Sequence, residues 1–277
     1  MIAPLFLIAT ACAVLILAGV TAKKYATARL QFWKREGRML LTPGYVPPPP
    51  TVWGRAFLRI ACRLGTFLTV GPLKVTGREN ARYAGSLAVT PNHSHEPDFL
   101  VVGAALRSSF RQLASANNCR GKSGILAAWA GTFAVPVKDG KADGSGLEGK
   151  QINIGSVTAH AGAEILHLRS EKLLWFPQGQ LYPDNSLLPE QFQTGIVRAV
   201  KLAGGDTAIL PIGIHYLKSR RPMRLTWARK KFGFTSFGAN VAIGEPILCS
   251  SLPDDFREAT EVIRLAIADL VSQAKSM

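Results

Sequence analysis

From residue 70 onward, short apolar runs with strand character alternate with helical ones, and few architectures satisfy that rhythm. LKVTG (73–77), SLAVT (86–90), FRQLASA (110–116), FAVPV (133–137), LLWF (173–176) and AILPIGIHYL (208–217) read as strands. MRLTWARK (223–230) and NVAIGEPI (240–247) read as late strands. Between them DFLVVGAALR (98–107), GILAAWAG (124–131), residues 151–168 and TGIVRAVKLAG (194–204) carry helical periodicity. Residues 254–275 form an amphipathic closing helix whose acids lead and whose Lys275 lies near its end, as the helix dipole favours. Interleaved strands and helices predict an α/β fold, a mixed central sheet flanked by helices, spanning 70–277. With 277 residues and 47% apolar content, one such domain with an N-terminal extension is the expected organisation.

The extension divides in two. Residues 1–22 carry no charged side chain, and a helix of that length just crosses a hydrocarbon core of about 30 Å. Lys23, Lys24, Arg29, Lys34, Arg35 and Arg38 follow against the single acid Glu36. Charge after the apolar run, rather than before it, argues for a retained anchor and places the rest of the chain on the cytoplasmic side. A helix lying in the interface is the alternative. Residues 23–69 then hold a basic and proline-rich linker, with Pro47–Pro50 as a stiff spacer, and a second amphipathic helix over 52–68. Trp53, Phe57, Ile60, Leu64 and Phe67 share one face of that helix and Arg55, Arg59 and Arg63 the other. This pattern suits a membrane surface, and equally a core helix with a solvated arginine face.

Lysine and arginine outnumber acids 33 to 18, so anionic partners are favoured. The basic excess gathers beside the apolar N-terminus and no nucleic-acid recognition module is visible, so phospholipid is expected and nucleic acid is not. Cys12, Cys62, Cys119 and Cys249 are scattered without C-x-x-C spacing and read as reduced thiols.

The sharpest chemical constellation is TPNHSHEPDFL (90–100), where a strand gives way to a turn and a helix begins near Asp98. An acid five residues after His93, with Pro97 bending the chain between them, can return to the imidazole. It would fix the tautomer of His93 and stabilise the imidazolium formed when the other nitrogen takes a proton. Ser94 reads as a residue of the turn and not as a nucleophile, so direct attack by an acceptor hydroxyl on a donor carbonyl is the natural chemistry. A helix-capping Asp98 beside an ordinary loop histidine satisfies the same spacing. His93 and His95 also make an H-x-H pair, but His160, His167 and His215 lack ligand spacing, so no metal is expected. GSGLEGKQ (144–151) satisfies G-x4-G-K, yet ends in Gln151 where a phosphate loop needs Ser or Thr, and it does not follow a strand directly.

NHSHEPD resembles the N-H-x4-D signature of the glycerophosphate and lysophospholipid acyltransferase family, with Asn92, His93 and Asp98 at the signature positions. AGTFAVPVKD (130–139), with Gly131 and Lys138, is similar to the family's second block. LLWFPQGQ (173–180), with Phe176, Pro177, Gln178, Gly179 and Gln180, resembles the third, and AILPIGI (208–214), with Pro211, the fourth. VTGREN (75–80) and IGEPI (243–247) resemble flanking strands, so the likeness covers about residues 70–250.

The resemblance implies a membrane-bound O-acyltransferase that moves a fatty acyl group from acyl-CoA or acyl-carrier protein to a lysophospholipid or related glycerolipid hydroxyl. His93 would be the general base and Asp98 its orienting partner. Asn92, Gly131, Lys138, Phe176, Pro177, Gln178, Gly179, Gln180 and Pro211 would bind substrate, with amides around Gly179 facing the developing oxyanion. No resident cofactor is implied. Where the family carries Phe-Pro-Glu-Gly-Thr-Arg, this chain has Gln178, Gln180 and Leu181, so one carboxylate and one cation are missing. Arginine is the side chain best shaped for phosphate. Its loss keeps open a non-phosphorylated lipid or glycolipid acceptor, and a catalytically silent lipid-binding protein.

Overall fold

A computed structural model describes residues 50, 52–115, 131–135, 154–167, 171–218 and 236–277. Every residue of β2 (Leu87–Pro91) is buried, and so is the first part of β6 (Ala208–Lys218) from Ala208 to Ile214. Strands apolar on both faces must be covered on both. β1 (Leu73–Thr76), β3 (Arg111–Ser115), β4 (Phe133–Val135), β5 (Lys172–Leu174), β7 (Ser236–Ile243) and β8 (Ile247–Leu248) complete the sheet. Its order is β1-β7-β6-β2-β5-β3-β4, with β8 also pairing to β6. β6 runs antiparallel to β7 and β8, while the other pairings are parallel. The sheet is therefore mixed, as the alternation of elements predicts.

Five helices among the described residues cover it: α1 (Val52–Thr69), α2 (Asp98–Leu106), α3 (Ile154–His167), α4 (Gly195–Ala203) and α5 (Phe256–Ser276). Leu87, Val89, Leu174, Leu210, Ile212 and Ile214 pack with Leu58 and Cys62 of α1 and Val101 and Val102 of α2. The intervening residues Ala88, Leu173 and Ile209 face the other way, onto α3, α4 and α5. The period of two along the strands thus separates two cores. Each fully buried Leu, Ile or Val contributes about 1.5–3 kcal/mol.

α5 begins at Asp255, whose carboxylate accepts from the Arg257 and Glu258 amides at 2.7 and 2.9 Å, a cap consistent with the acid-led pattern. The late run 240–247 is broken rather than continuous. β7 starts earlier, at Ser236, and ends at Ile243, and Gly244, Glu245 and Pro246 then stand against only Leu210 and Pro211 of β6 before β8, one extra residue that breaks the ladder.

α1 buries the opposite kind of surface from the one its large side chains suggest. Gly54, Leu58, Cys62, Thr66 and Thr69 face the core, a narrow stripe of mostly small residues. A Cβ on Gly103 of α2 would lie 2.4 Å from Cys62 Sγ, so the close approach of the two helices depends on that glycine. Burial pushes the Cys62 thiol up to about 12. Trp53, Ile60, Leu64 and Phe67 remain more than half exposed, flanked by exposed Arg59 and Arg63. Arg55 departs from the expected solvated face: it pairs with buried Glu171 at 3.1 Å, which Arg111 approaches at 3.5 Å. Among the described residues no helix is long and apolar enough to cross a membrane. The anchor expected over 1–22, the helix over 124–131 apart from Gly131, and the strand over 223–230 lie outside the described residues.

Candidate active site

β2 delivers Asn92 and His93 to the carboxyl end of the sheet, between the ends of β5 and β6. Asn92 extends the pairing beyond the strand: its amide donates to the Ile212 carbonyl at 3.3 Å. Its side chain accepts from the Ile214 amide at 2.7 Å and donates to the Ile214 carbonyl at 3.1 Å. A side chain that imitates a strand residue in this way holds the next residue in a set position.

That next residue is His93. The turn through Pro97 brings Asp98, the first residue of α2, back so that His93 Nδ1 and Asp98 Oδ2 stand 3.0 Å apart. The same oxygen accepts from the Ser94 and His95 amides at 2.7 and 2.9 Å. Asp98 Oδ1 accepts a short hydrogen bond from the Tyr216 hydroxyl of β6. Asp98 is fully buried, and these four donors replace the water that its carboxylate has lost. Because Nδ1 donates to Asp98, His93 Nε2 is left as the acceptor nitrogen. The His93 side chain keeps 19% of its exposure while Asp98 keeps none, so the base is reachable and its partner is shielded.

Phe176, two residues past β5, stacks on the His93 ring with centroids 3.9 Å apart and planes 23° from parallel. Gln178 is buried, and its Oε1 accepts from the His93 amide at 2.7 Å. The His93 carbonyl accepts from the Tyr182 amide at 2.8 Å. The imidazole is therefore held at its ring face, at Nδ1 and at both backbone groups of its own residue.

Pro177 is buried and its carbonyl accepts from the Gln193 amide at 2.9 Å. Gly179 takes φ of +69°, and its N–H donates to the Phe176 carbonyl at 3.1 Å, which closes the turn. That amide is engaged in the turn, which leaves the neighbouring amides around Gly179 as the ones an oxyanion would have to use. Gln180 is exposed and its side-chain amide meets the Tyr182 hydroxyl. Leu181 is 39% exposed. Pro211 is buried within β6 opposite Thr90, and Gly131 precedes β4, at the amino end of the sheet where Arg111 Nε donates to its carbonyl at 3.3 Å. The structure thus gathers Asn92, His93, Asp98, Phe176, Pro177, Gln178 and Gly179 and leaves Gly131 and Pro211 outside that cluster. Lys138 lies outside the described residues.

Tyr216, Tyr182, Asn185 and Ser186 belong to this constellation without having been singled out from the sequence. Tyr216 follows the apolar alternation of its strand and carried no separate signal. Its hydroxyl pKa is driven well above the usual range by burial, with the Asp98 charge adding to the effect. His95 sits 4.7 Å from the Tyr216 ring, and burial lowers its pKa, opposed by Asp98. Its neutral form at pH 7 suits a half-buried loop histidine. Among the described residues no group of three or more acidic, histidine or cysteine side chains could hold a metal ion.

No family model matches the sequence, and no curated protein is similar to it at a significant level. Among solved structures, the crystal structure of the 1-acyl-sn-glycerophosphate (LPA) acyltransferase PlsC from Thermotoga maritima superposes with a TM-score of 0.57 at 17% identity. The match covers 80% of this chain and 79% of that one. The chain shares the fold of that structure. The shared fold and the ordered blocks of the sequence point the same way. On that fold, His93 follows the carboxyl end of β2 with its side chain partly exposed, and Asp98 is buried behind it at the start of α2, in the kind of loop that carries catalytic groups.

Proposed function

We propose that the chain is a glycerolipid O-acyltransferase that moves a fatty acyl group from a thioester donor, acyl-CoA or acyl-carrier protein, to a lysophospholipid-like hydroxyl. The observation that carries this reading is the 3.0 Å contact from His93 Nδ1 to a fully buried Asp98, which leaves Nε2 as a reachable base. Nε2 takes the proton of the acceptor hydroxyl as its oxygen bonds to the thioester carbonyl carbon. Asp98 stabilises the imidazolium that results. Collapse of the tetrahedral intermediate breaks the C–S bond, and the departing thiolate recovers the proton from His93. The products are an ester and a free thiol, and no metal or resident cofactor takes part.

The outer face of α1 supports a membrane location, and the basic run over residues 23–38 is what favours its cytoplasmic side. Trp53, Ile60, Leu64 and Phe67 form an exposed apolar stripe edged by Arg59 and Arg63, a combination suited to an anionic phospholipid surface. There the base can meet an acceptor that never leaves the bilayer.

A second acceptor class is favoured by one observation. Leu181 stands exposed where the resembling family carries arginine, and Gln180 beside it is engaged by Tyr182. That environment suits a lipid or glycolipid hydroxyl without a phosphomonoester. The test is labelled acyl-CoA and acyl-carrier protein offered to the full chain in phospholipid vesicles, with phosphorylated and non-phosphorylated glycerolipid acceptors in parallel. His93→Ala should lose about 10²–10⁴-fold in rate. Transfer that survives His93→Ala sinks the mechanism, and a wild-type chain that binds lipid without transferring acyl groups sinks the enzyme reading.

A further inference from the structure

The third block departs from its family pattern at Gln178, and the structure gives that side chain two partners of opposite kind. Its Oε1 accepts from the His93 amide at 2.7 Å, and its Nε2 donates to the Ser186 carbonyl at 3.0 Å. A carboxylate offers the first contact and cannot offer the second. Gln178 is 2% exposed, so no water replaces a missing donor at low cost.

The partner on the far side is itself tied down. Ser186 lies in the loop 179–188, whose Tyr182 amide donates to the His93 carbonyl and whose Asn185 Oδ1 accepts from Asn92 Nδ2 at 3.2 Å. Asn185 adopts φ of +57°, a conformation that asparagine tolerates better than most residues, and its amide donates to the Tyr182 carbonyl at 2.9 Å. The Ser186 amide donates to Asp184 Oδ1 at 3.1 Å, and Gln191 Nε2 donates to Ser186 Oγ at 2.8 Å. Three independent ties therefore run from this loop to residues 92 and 93, and the one through Gln178 grips both sides with a single buried side chain.

We propose that Gln178 is a positioning residue, a neutral clasp that locks the loop 179–188 onto the backbone of His93 and that an ionised carboxylate cannot replace. It touches no reacting atom, and its role presupposes the acyl-transfer reading of His93. The departure from glutamate is in this light a change in how the base is held, since the amide satisfies an acceptor that a carboxylate would repel.

The consequence has a particular signature in Gln178→Glu. An introduced carboxyl would lie beside the Ser186 carbonyl in a buried place, with Asp98 behind His93 and Asp184 on its own loop as the acidic neighbours, and His93, Tyr182 and Tyr216 as the remaining titratable ones. Burial, the Ser186 carbonyl and the two acidic neighbours disfavour its ionised form, the His93 contacts favour it, and the two phenols are uncharged across this pH range. Once protonated, its hydroxyl can donate to the Ser186 carbonyl and restore the clasp. Gln178→Met, of similar length, can do neither at any pH.

The experiment follows acyl transfer and thermal unfolding of the full chain in phospholipid vesicles at pH 5.5 and 8, each variant divided by wild type at the same pH. For Gln178→Glu at pH 8 we expect kcat to fall about tenfold to a hundredfold with KM within twofold, the loss expected of a misplaced base. At pH 5.5 the ratio should recover to within about threefold and the unfolding deficit should close, a simple protonation effect. Gln178→Met should stay low at both. A Gln178→Glu ratio that does not change with pH, an unfolding deficit as large at pH 5.5 as at pH 8, or a raised KM with kcat intact overturns the proposal. If wild type transfers no acyl group, the acyl-transfer reading fails, and the pH-dependent unfolding of Gln178→Glu still decides whether the clasp exists.

Discussion

Replacing Tyr216 with phenylalanine removes one oxygen from the centre of the protein and tests how the buried charge of Asp98 is held. The phenol donates to Asp98 Oδ1, the carboxylate oxygen that neither His93 nor the Ser94 and His95 amides serve. Asp98 is wholly buried and Tyr216 is 7% exposed, so a water has little room to substitute. A hydrogen bond to a charged group contributes about 1.5–3 kcal/mol, and Tyr216→Phe should destabilise the fold by that amount while the ring packing is kept. At about 2–4 °C per kcal/mol for a domain of this size, the unfolding midpoint should drop by roughly 3–12 °C. Because Oδ2 retains its three donors, the tautomer of His93 persists and kcat should fall by no more than about tenfold. Asp98→Asn, which disturbs the tautomer itself, should lose about 10³–10⁴-fold. The pH dependence adds a second check. Tyr216 holds its proton in the folded state well above the ordinary phenol value, chiefly because of burial, while the unfolded phenol releases it near pH 10. Its contribution is fully present below pH 10 and is lost as pH rises through the folded value. The stability gap between wild type and Tyr216→Phe should therefore be constant from pH 6 to 9 and narrow above 10. A variant that melts with wild type at pH 7 would refute the idea that Tyr216 satisfies the buried carboxylate.

Two further outcomes follow from the packing of α1. A polarity-sensitive fluorophore attached through Phe67→Cys should shift to the blue on adding anionic phospholipid vesicles, while one attached through Leu202→Cys on α4 should not, since only the α1 stripe pairs exposed apolar residues with Arg59 and Arg63. The Cys62 thiol, fully buried and pushed up to about 12, should resist thiol reagents at pH 8 until the chain unfolds, whereas the partly exposed Cys249 should react first. Labelling of Cys62 at the rate of Cys249 in the folded protein would contradict the α1–α2 contact.

Much of this protein is written in local pattern. The α/β alternation, the helix over 52–68, the closing helix and the pairing of His93 with Asp98 all rest on periodicity or on a separation of five residues, which a turn through Pro97 can span. Two things resisted that kind of reading. The large apolar side chains of α1 marked a face, but not that the core would prefer the small stripe of Gly54, Leu58 and Cys62; the close approach of Gly103 decides this. The late run 240–247 had the composition of one strand and became two, because it carries one residue more than β6 offers between Ile209 and Ile212.

Local sequence sets out the chemistry on offer: a base, an acid that can reach it, and blocks in an order that resembles glycerophosphate acyltransferases. How that base is held depends on contacts between distant parts of the chain. Tyr216 is 118 residues from Asp98, and Gln178 is 85 from His93. β6 and the segment after β5 flank β2 in the sheet, so strand order alone brings these side chains to the acid and to the backbone of the base. A buried charge needs donors from every direction, and five residues of local chain cannot provide them all.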